Sequence, residues 1–561
     1  MYNLVNSTAW IPFQRQKSGA VEWGPPSLLT DRIDEDPIVA IAALRPDFAG
    51  AVEELLIGML SVVFAVEDAM TWRTLWMAPP SRAVLQEKLD TISAAFNLDG
   101  PGPRFMQDVS PSDFAGTEPI PIEQILIEAP GVQTVKLNKD LFIKRDRVER
   151  MGLPAAAMAL TTLQTYAPSG GQGHRTSLRG GGPLTTLIDP RVLGAGAQDA
   201  IQPLWQKLWA NVSTVAEWRQ LPGSRLTSLS DVFPWMAPTR TSDGSGITRA
   251  TTADDAHPAQ AYFGMPRRIR LDFAGPGRCD ITGMECEQTV TTFHMRNYGV
   301  QYSGWEHPLS PYYRTKEAEP WLPVHGQASG LSWRDWISLA LIQPDGADRK
   351  PARAVSRFVQ QLAPEIHLSE VQLHAFGYDM DNMKARGWIE SKRPVFATSD
   401  PQQRRLIVDT AKHLSDGTDL AARELISAGK AALFNRTEDA RGDLSQYRSR
   451  VWDETESTFF ASLRQLLTQS VGDEDIERIT RNFLAVLTEV VLDVFDRWCP
   501  IAGLASERLS RLVQARFTLV SALSGKSKGG AALYQALGLP DPTPVKPVRA
   551  KKKRPTKGAT A

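Results

Sequence analysis

From about residue 400 onward, apolar residues recur at steps of three and four. Between Asp473 and Trp498, the side chains of Ile476, Ile479, Phe483, Leu487, Val490, Val494 and Trp498 fall on one stripe, the period of an α-helix with a single buried face. Asp473, Glu474 and Asp475 stand at its start, where negative charge suits the helix dipole. Leu509, Leu512, Val513, Phe517, Val520 and Leu523 repeat the pattern in a following helix, and Leu406–Phe434 and Trp452–Leu467 supply earlier helical segments. Four such segments with short connections predict a four-helix bundle. Ahead of residue 395 the pattern is irregular: most of the Gly and Pro lie here, with short β-type runs such as Arg268–Phe273 and only occasional helical periods. The fold class read from this contrast is α+β. A loop-rich mixed α/β domain is expected over residues 1–395 and a helical bundle over 396–540. A Pro-rich tail over 541–561, basic through Lys551, Lys552, Lys553 and Arg554, is expected to be disordered.

The longest apolar run, Leu55 to Val66, is bounded by Glu53, Glu54, Glu67 and Asp68. It falls short of the roughly 20 residues that a membrane span needs and predicts a buried helix. The first residues, MYNLVNSTAWIPF, have neither the basic start nor the apolar stretch of a signal peptide. Three cysteines in 561 residues, Cys279, Cys286 and Cys499, exclude the disulfide framework of a small secreted domain and point to a reducing, cytoplasmic setting. The 63 basic and 63 acidic residues cancel. That balance excludes the long-range positive field of a protein that captures DNA alone, so any contact with nucleic acid must come from local patches.

Enzyme motifs fail one after another. Gly525-Lys526-Ser527 resembles the end of a phosphate-binding loop, but Val520 stands where the first glycine is required, and a helix precedes it instead of a strand. The spacing of Cys279, Cys286, His294 and His307 assembles no zinc set, and neither a G-x-S-x-G elbow nor a dense acidic cluster for two metals is present. No catalytic residue, metal site or cofactor is therefore expected.

One segment stands out. In TTLQTYAPSGGQGHRTSLRGGGPLTTLI, starting at Thr161, Gly170, Gly171, Gly173, Gly180, Gly181 and Gly182 crowd into thirteen residues. Such a cluster suits a backbone that takes unusual dihedrals or approaches a partner closely. His174, Arg175 and Arg179 interleave with the glycines and are candidates to neutralise phosphates there. By composition alone an ordinary flexible surface loop stays open as the alternative.

The block APSGGQGHRTSLRGGGPLTTL resembles the glycine-loop block of the CasA family, the large subunit of the type I-E CRISPR Cascade complex. Four further blocks match family landmarks in order: Trp10-Ile11-Pro12, Phe105-Met106-Gln107, Phe263-Gly264-Met265-Pro266-Arg267-Arg268, and WEHPLSP from Trp305 to Pro311. The resemblance covers nearly the whole chain and implies a mixed N-terminal domain followed by a four-helix bundle.

It also implies a function. The subunit would inspect double-stranded target DNA for the protospacer-adjacent motif from the minor groove, start strand separation and R-loop formation, and recruit the CRISPR helicase-nuclease. Its other partners would be the guide RNA and the remaining Cascade subunits, with no membrane involved. The glycine loop falls on Gly171, Gln172 and Gly173, with Gln172 replacing the usual glycine. A basic finger falls on Arg296, and arginine suits a narrow groove of negative potential. A wedge at a hairpin tip falls on Asp381, Asn382 and Met383, where the carboxylate of Asp381 needs Lys384 or Arg386 to offset it near phosphates. Docking on the guide ribonucleoprotein falls on Lys136, Asn138, Lys139, Lys144 and Arg145, in a stretch to Arg150 with six basic and three acidic residues. The main rival expectation is an enzyme, hydrolysing nucleotides or cutting DNA with the Gly-rich segment; a second is a purely structural scaffold.

Overall fold

The computed structural model describes residues 1–6, 9–138, 140, 146–171, 173–190, 202–242, 250–327, 330–341, 347–381, 384–467, 471–501 and 506–540. Mixed small sheets and helices fill the first part of the chain and helices the last, an α+β fold. The chain divides into two compact units, Met1–Arg404 and Arg405–Ala561.

The first unit is built on helix α1 (Pro46–Phe64) and helix α2 (Leu153–Tyr166), which pack against each other. The run AAAMA in α2 brings the two backbones close, and both helices are buried along nearly their whole length. The apolar run from Leu55 is thus a core helix, as its length predicts. Among the described residues no single helix is long and apolar enough to cross a membrane; α1 and Ala69–Met77 together pass that test of length and composition as a pair bent by 117°.

Two sheets flank this core and position the segments of interest. In one, strand β1 (Thr185–Asp189) pairs antiparallel with β2 (Glu370–Asp381), which pairs in turn with β3 (Lys384–Phe396) in a long hairpin. In the other, the antiparallel strands Arg268–Ala274 and Thr289–Arg296 pair over their length, setting Arg296 opposite Arg268 at the sheet's end. Strand β1 is buried at every residue and β2 nearly so, whereas β3 alternates and keeps one edge toward solvent.

The second unit holds four long helices, Pro401–Leu433 (which begins at the junction), Ser445–Gln465, Asp473–Trp498 and Ser506–Leu523, followed by a short fifth, Lys528–Ala536. The helix over Asp473–Trp498 has the bounds that the periodicity sets, and Ile479, Phe483, Leu487 and Val494 are buried; Val491 takes the place expected of Val490. Gly429 lies against the ring of Trp498, so the first and third of these helices touch where no side chain intervenes. Ser527 caps the fifth helix by accepting from the Gly530 amide, which accounts for the Gly-Lys-Ser run as a helix start. The tail over 541–561 lies outside the described residues.

The helix over Ser506–Leu523 corrects the reading of its pattern. Leu512, Ala515, Leu519, Ala522 and Leu523 are buried, while Leu509, Val513, Phe517 and Val520 are exposed, Phe517 to 68%. The helix has two apolar faces, and small Ala515 and Ala522 let one of them pack closely; periodicity alone cannot choose between them. Phe517→Ser is accordingly expected to leave the stability nearly unchanged, within about 0.5 kcal/mol. Leu519→Ala should cost about 2–5 kcal/mol, and circular dichroism melting of both variants checks the assignment.

Candidate nucleic-acid interface

Helix α2 leads directly into the glycine-rich segment. Its Gln164 is buried and takes three hydrogen bonds: its amide nitrogen donates to the carbonyls of Met106 (3.1 Å) and Arg267 (2.9 Å), and its oxygen accepts from the Arg267 amide at 3.0 Å. Two of the sequence blocks, Phe105–Gln107 and Phe263–Arg268, are thereby tied to the stem of the loop. Beyond Ala167 the chain turns back on itself, with the Ser177 amide donating to the Ala167 carbonyl at 3.0 Å and the Gly182 amide to the Tyr166 carbonyl at 3.3 Å.

The glycines within this turn have distinct reasons. Gly171 (φ +90°) is exposed, and a Cβ there would meet nothing within 4 Å, so it presents bare backbone to open space. Gly173 (φ +79°) accepts from the Tyr298 amide at 2.7 Å, and a Cβ on it would lie 2.7 Å from Cβ of Asn297. Gly182 (φ +62°) is pressed against the hairpin, where a Cβ would come within 2.5 Å of Met380 and 3.0 Å of Tyr378. Only glycine takes these backbone angles without strain while leaving room for such neighbours.

These contacts join three separate sequence segments. Asn297 and Tyr298 directly follow Arg296, so Gly173 touches the chain immediately beyond the expected basic finger. Arg296 itself is exposed at its strand end; Nε donates to the Asp113 carbonyl at 2.6 Å and Nη2 to the Ala115 carbonyl at 3.1 Å. Met380 and Tyr378 belong to β2, which carries the hairpin to its exposed tip at Asp381, paired in register with Lys384. Arg386 forms a bidentate pair with Asp379 at 2.7 and 2.8 Å, and the nearby charge of Asp381 acts on it as well. Gln172, Asn382 and Met383 lie outside the described residues, as do Lys139, Lys144 and Arg145. Lys136, ending a short helix, and Asn138 (φ +50°) are exposed and stand in another stretch of the chain.

Arg179 overturns an expectation. It is 3% exposed and cannot meet a phosphate at the surface. Its Nη2 donates to Glu54 at 2.6 Å, and Nη1 donates to Thr185 at 2.9 Å and to Ser310 at 3.0 Å. Tyr166 donates to Glu54 at 2.6 Å as well, and burial and the Glu54 charge push its hydroxyl pKa well above the ordinary value. His307 lies nearby, its pKa held well below the usual range by burial and by Arg179. Ser310 and His307 belong to the WEHPLSP block, so that block acts as an internal brace for the glycine segment. Glu54, at the centre of this network, escaped the sequence reading because it sits in an acidic pair at the edge of an apolar run, indistinguishable there from a solvated helix face.

Arg175 donates through Nε to Ser242 at 2.6 Å and lies over the Tyr298 ring at 5.8 Å. His174 is half-buried, its pKa lowered by burial and by the neighbouring Arg267. Among the described residues no group of three or more His, Cys, Asp or Glu side chains is arranged to hold a metal ion.

The chain thus has a large loop-rich unit with a glycine segment braced from beneath, followed by a helical unit. The family model for CRISPR-associated protein Cse1 matches residues 3–493, and the chain belongs to that family. The names CasA and Cse1 are used together for the Thermus thermophilus protein, so this is the family that the sequence blocks resemble. The crystal structure of CasA from Thermus thermophilus superposes with a TM-score of 0.67 at 16% identity, over 94% of this chain and 100% of that one. Thermobifida fusca Cse1 gives 0.67 at 15% identity, over 96% and 98%. A chain of a CRISPR RNA-guided surveillance complex gives 0.66 at 16%, over 93% and 99%. At these identities the likeness establishes the fold. No curated protein matches the chain.

Proposed function

We propose that this chain is the large subunit of a type I-E Cascade complex, that it inspects double-stranded DNA for the protospacer-adjacent motif, and that it begins strand separation there. The reading rests on the convergence at the glycine segment: one turn touches the residue after exposed Arg296 and, nine residues later, the shaft of a hairpin with an exposed tip. Bare backbone at Gly171, a cation and a projecting turn are the three things that a minor-groove reader with a wedge requires. The solved surveillance-complex chain of the same fold supports the assignment to an assembly with RNA.

Exchange of a DNA duplex for an RNA–DNA hybrid is nearly balanced, so small protein contributions at the entry point decide whether opening starts. Arg296 would exchange its two carbonyl partners, Asp113 and Ala115, for acceptors on the groove floor. Asp381, Asn382 and Met383 would occupy the space between base pairs beside the motif. Lys136, Asn138, Lys139, Lys144 and Arg145 would dock on the guide ribonucleoprotein. Cleavage would belong to the recruited helicase-nuclease, with no catalytic role for this chain. The zero net charge suits a subunit whose affinity derives from a larger assembly.

The test is target binding by the reconstituted complex, with Arg296 intact or replaced by Ala, on motif-bearing and motif-free duplexes. Loss of one groove contact worth about 1–3 kcal/mol should weaken binding to the motif duplex by about 5- to 150-fold and leave the motif-free duplex little changed. Equal affinity in all four combinations overturns the reading.

A further inference from the structure

Buried cations in the first unit come with carboxylates. Arg15 is paired with Glu22 and Asp31, Arg179 with Glu54, Arg268 with Asp108 and Asp113, Arg357 with Glu217, and Lys207 with Glu53. Arg267 is the exception among the described buried cations. It is 6% exposed, it has no carboxylate partner, and its Nε has no hydrogen-bond partner at all; Nη2 donates to the Pro168 carbonyl. Burial alone, with no anion to oppose it, pulls its pKa down to about 10, so it is still charged at neutral pH.

The position of this unopposed charge is specific. Nη1 of Arg267 lies 3.1 Å from where a Cβ on Gly170 would stand, directly beneath the bare turn that continues to exposed Gly171. Two residues beyond Gly173, Arg175, also without a carboxylate among the described residues, is held by Ser242 and the Tyr298 ring. A desolvated charge without a counterion is unfavourable in the free protein and becomes favourable when an anion approaches, because little solvent screens it.

We infer that the Gly170–Gly171 turn, with Arg267 beneath it and Arg175 beside it, is a subsite for one backbone phosphodiester of the bound DNA duplex. The inference rests on the proposed DNA-binding role and adds to it a sequence-independent anchor, separate from the groove contact of Arg296. The missing side chain at 170 lets His174 and the Arg267 guanidinium pack against the turn from beneath, the open face at 171 lets the phosphate come against the loop backbone, and the buried guanidinium attracts it there by charge. Such an anchor sets register along the duplex without reading bases.

Two measurements on the reconstituted complex test it. Arg267→Gln removes the charge and keeps an amide donor for Pro168. One phosphate contact fewer should flatten the salt dependence by about 0.9 in log–log slope, so that raising salt from about 50 to 200 mM costs about 3.5-fold less affinity than in the wild type. The preference for motif-bearing over motif-free duplex should survive. The second measurement needs no variant: duplexes with a single methylphosphonate at successive positions, bound by the wild-type complex, should reveal one position beside the motif where affinity falls and the salt slope flattens. An unchanged slope in a folded Arg267→Gln complex, or no sensitive position in the scan, overturns the subsite while wild-type motif preference stands. Absence of motif preference in the wild type overturns the DNA-sensing reading and the subsite with it.

Discussion

Arg179→Met is expected to destabilise the protein by about 3–5 kcal/mol, because it strands Glu54 as a buried charge without its counterion. Both partners are 3% exposed, and the Glu54 carboxylate accepts from Tyr166 and Thr185 as well as from Arg179. Those neutral donors satisfy its hydrogen bonds but not its charge. The double variant Arg179→Met with Glu54→Leu removes both charges, and an apolar pair in place of a buried ion pair is often close to neutral. It should recover most of the loss. Urea unfolding of the full chain, followed by tryptophan fluorescence, compares the two. Equal stability of Arg179→Met and wild type would show that Glu54 is not held by Arg179, and with it the brace beneath the glycine segment would fall.

The second large effect is expected at Gly173. Gly173→Val places a branched side chain on a residue with φ of +79° and drives Cβ to 2.7 Å from Asn297. The backbone angle alone costs about 1–2 kcal/mol for a residue with a Cβ. The turn must open away from Asn297 and Tyr298, parting the glycine segment from the strand end of Arg296. The reconstituted complex should bind its motif-bearing duplex at least about tenfold more weakly, since each 1.4 kcal/mol is a factor of ten. Gly304→Val is the control for backbone strain: it has a similar φ, +74°, but open space around it, and it lies outside the proposed interface. If the two variants bind alike, backbone strain accounts for the loss and the contact with Asn297 does not.

The two predictions probe different layers of one arrangement. Arg179 and Glu54 hold the segment from within the core; Gly173 sets where its outer turn meets the neighbouring strand. Arg267 lies beneath the turn at Gly170 and is joined to α2 through Gln164. A change at any of these positions moves the surface by way of the interior, and stability and binding measured together separate the layers.

Local pattern was enough to reveal the contrast between an irregular first part and a helical last part, and the bounds of helices such as Asp473–Trp498. Periodicity and end charges suffice for these, because a helix buries one stripe wherever it packs. The glycine cluster, too, was legible as a place where backbone geometry is constrained, and five ordered blocks carried the family. Which apolar face of Ser506–Leu523 is buried was not legible, because two stripes compete and the neighbouring helix chooses between them. Nor was it legible that Arg179 faces inward, whereas Arg296, expected at a basic finger, is exposed. Both are arginines beside turns, and their local sequences carry no sign of the carboxylate or carbonyls that receive them from far along the chain. The pairing of Glu54 with Arg179, the contact of Gly173 with Asn297 and the unopposed charge of Arg267 arise only when α1, α2 and the two sheets close around one core. They depend on distances between remote residues, and those are set by packing in three dimensions.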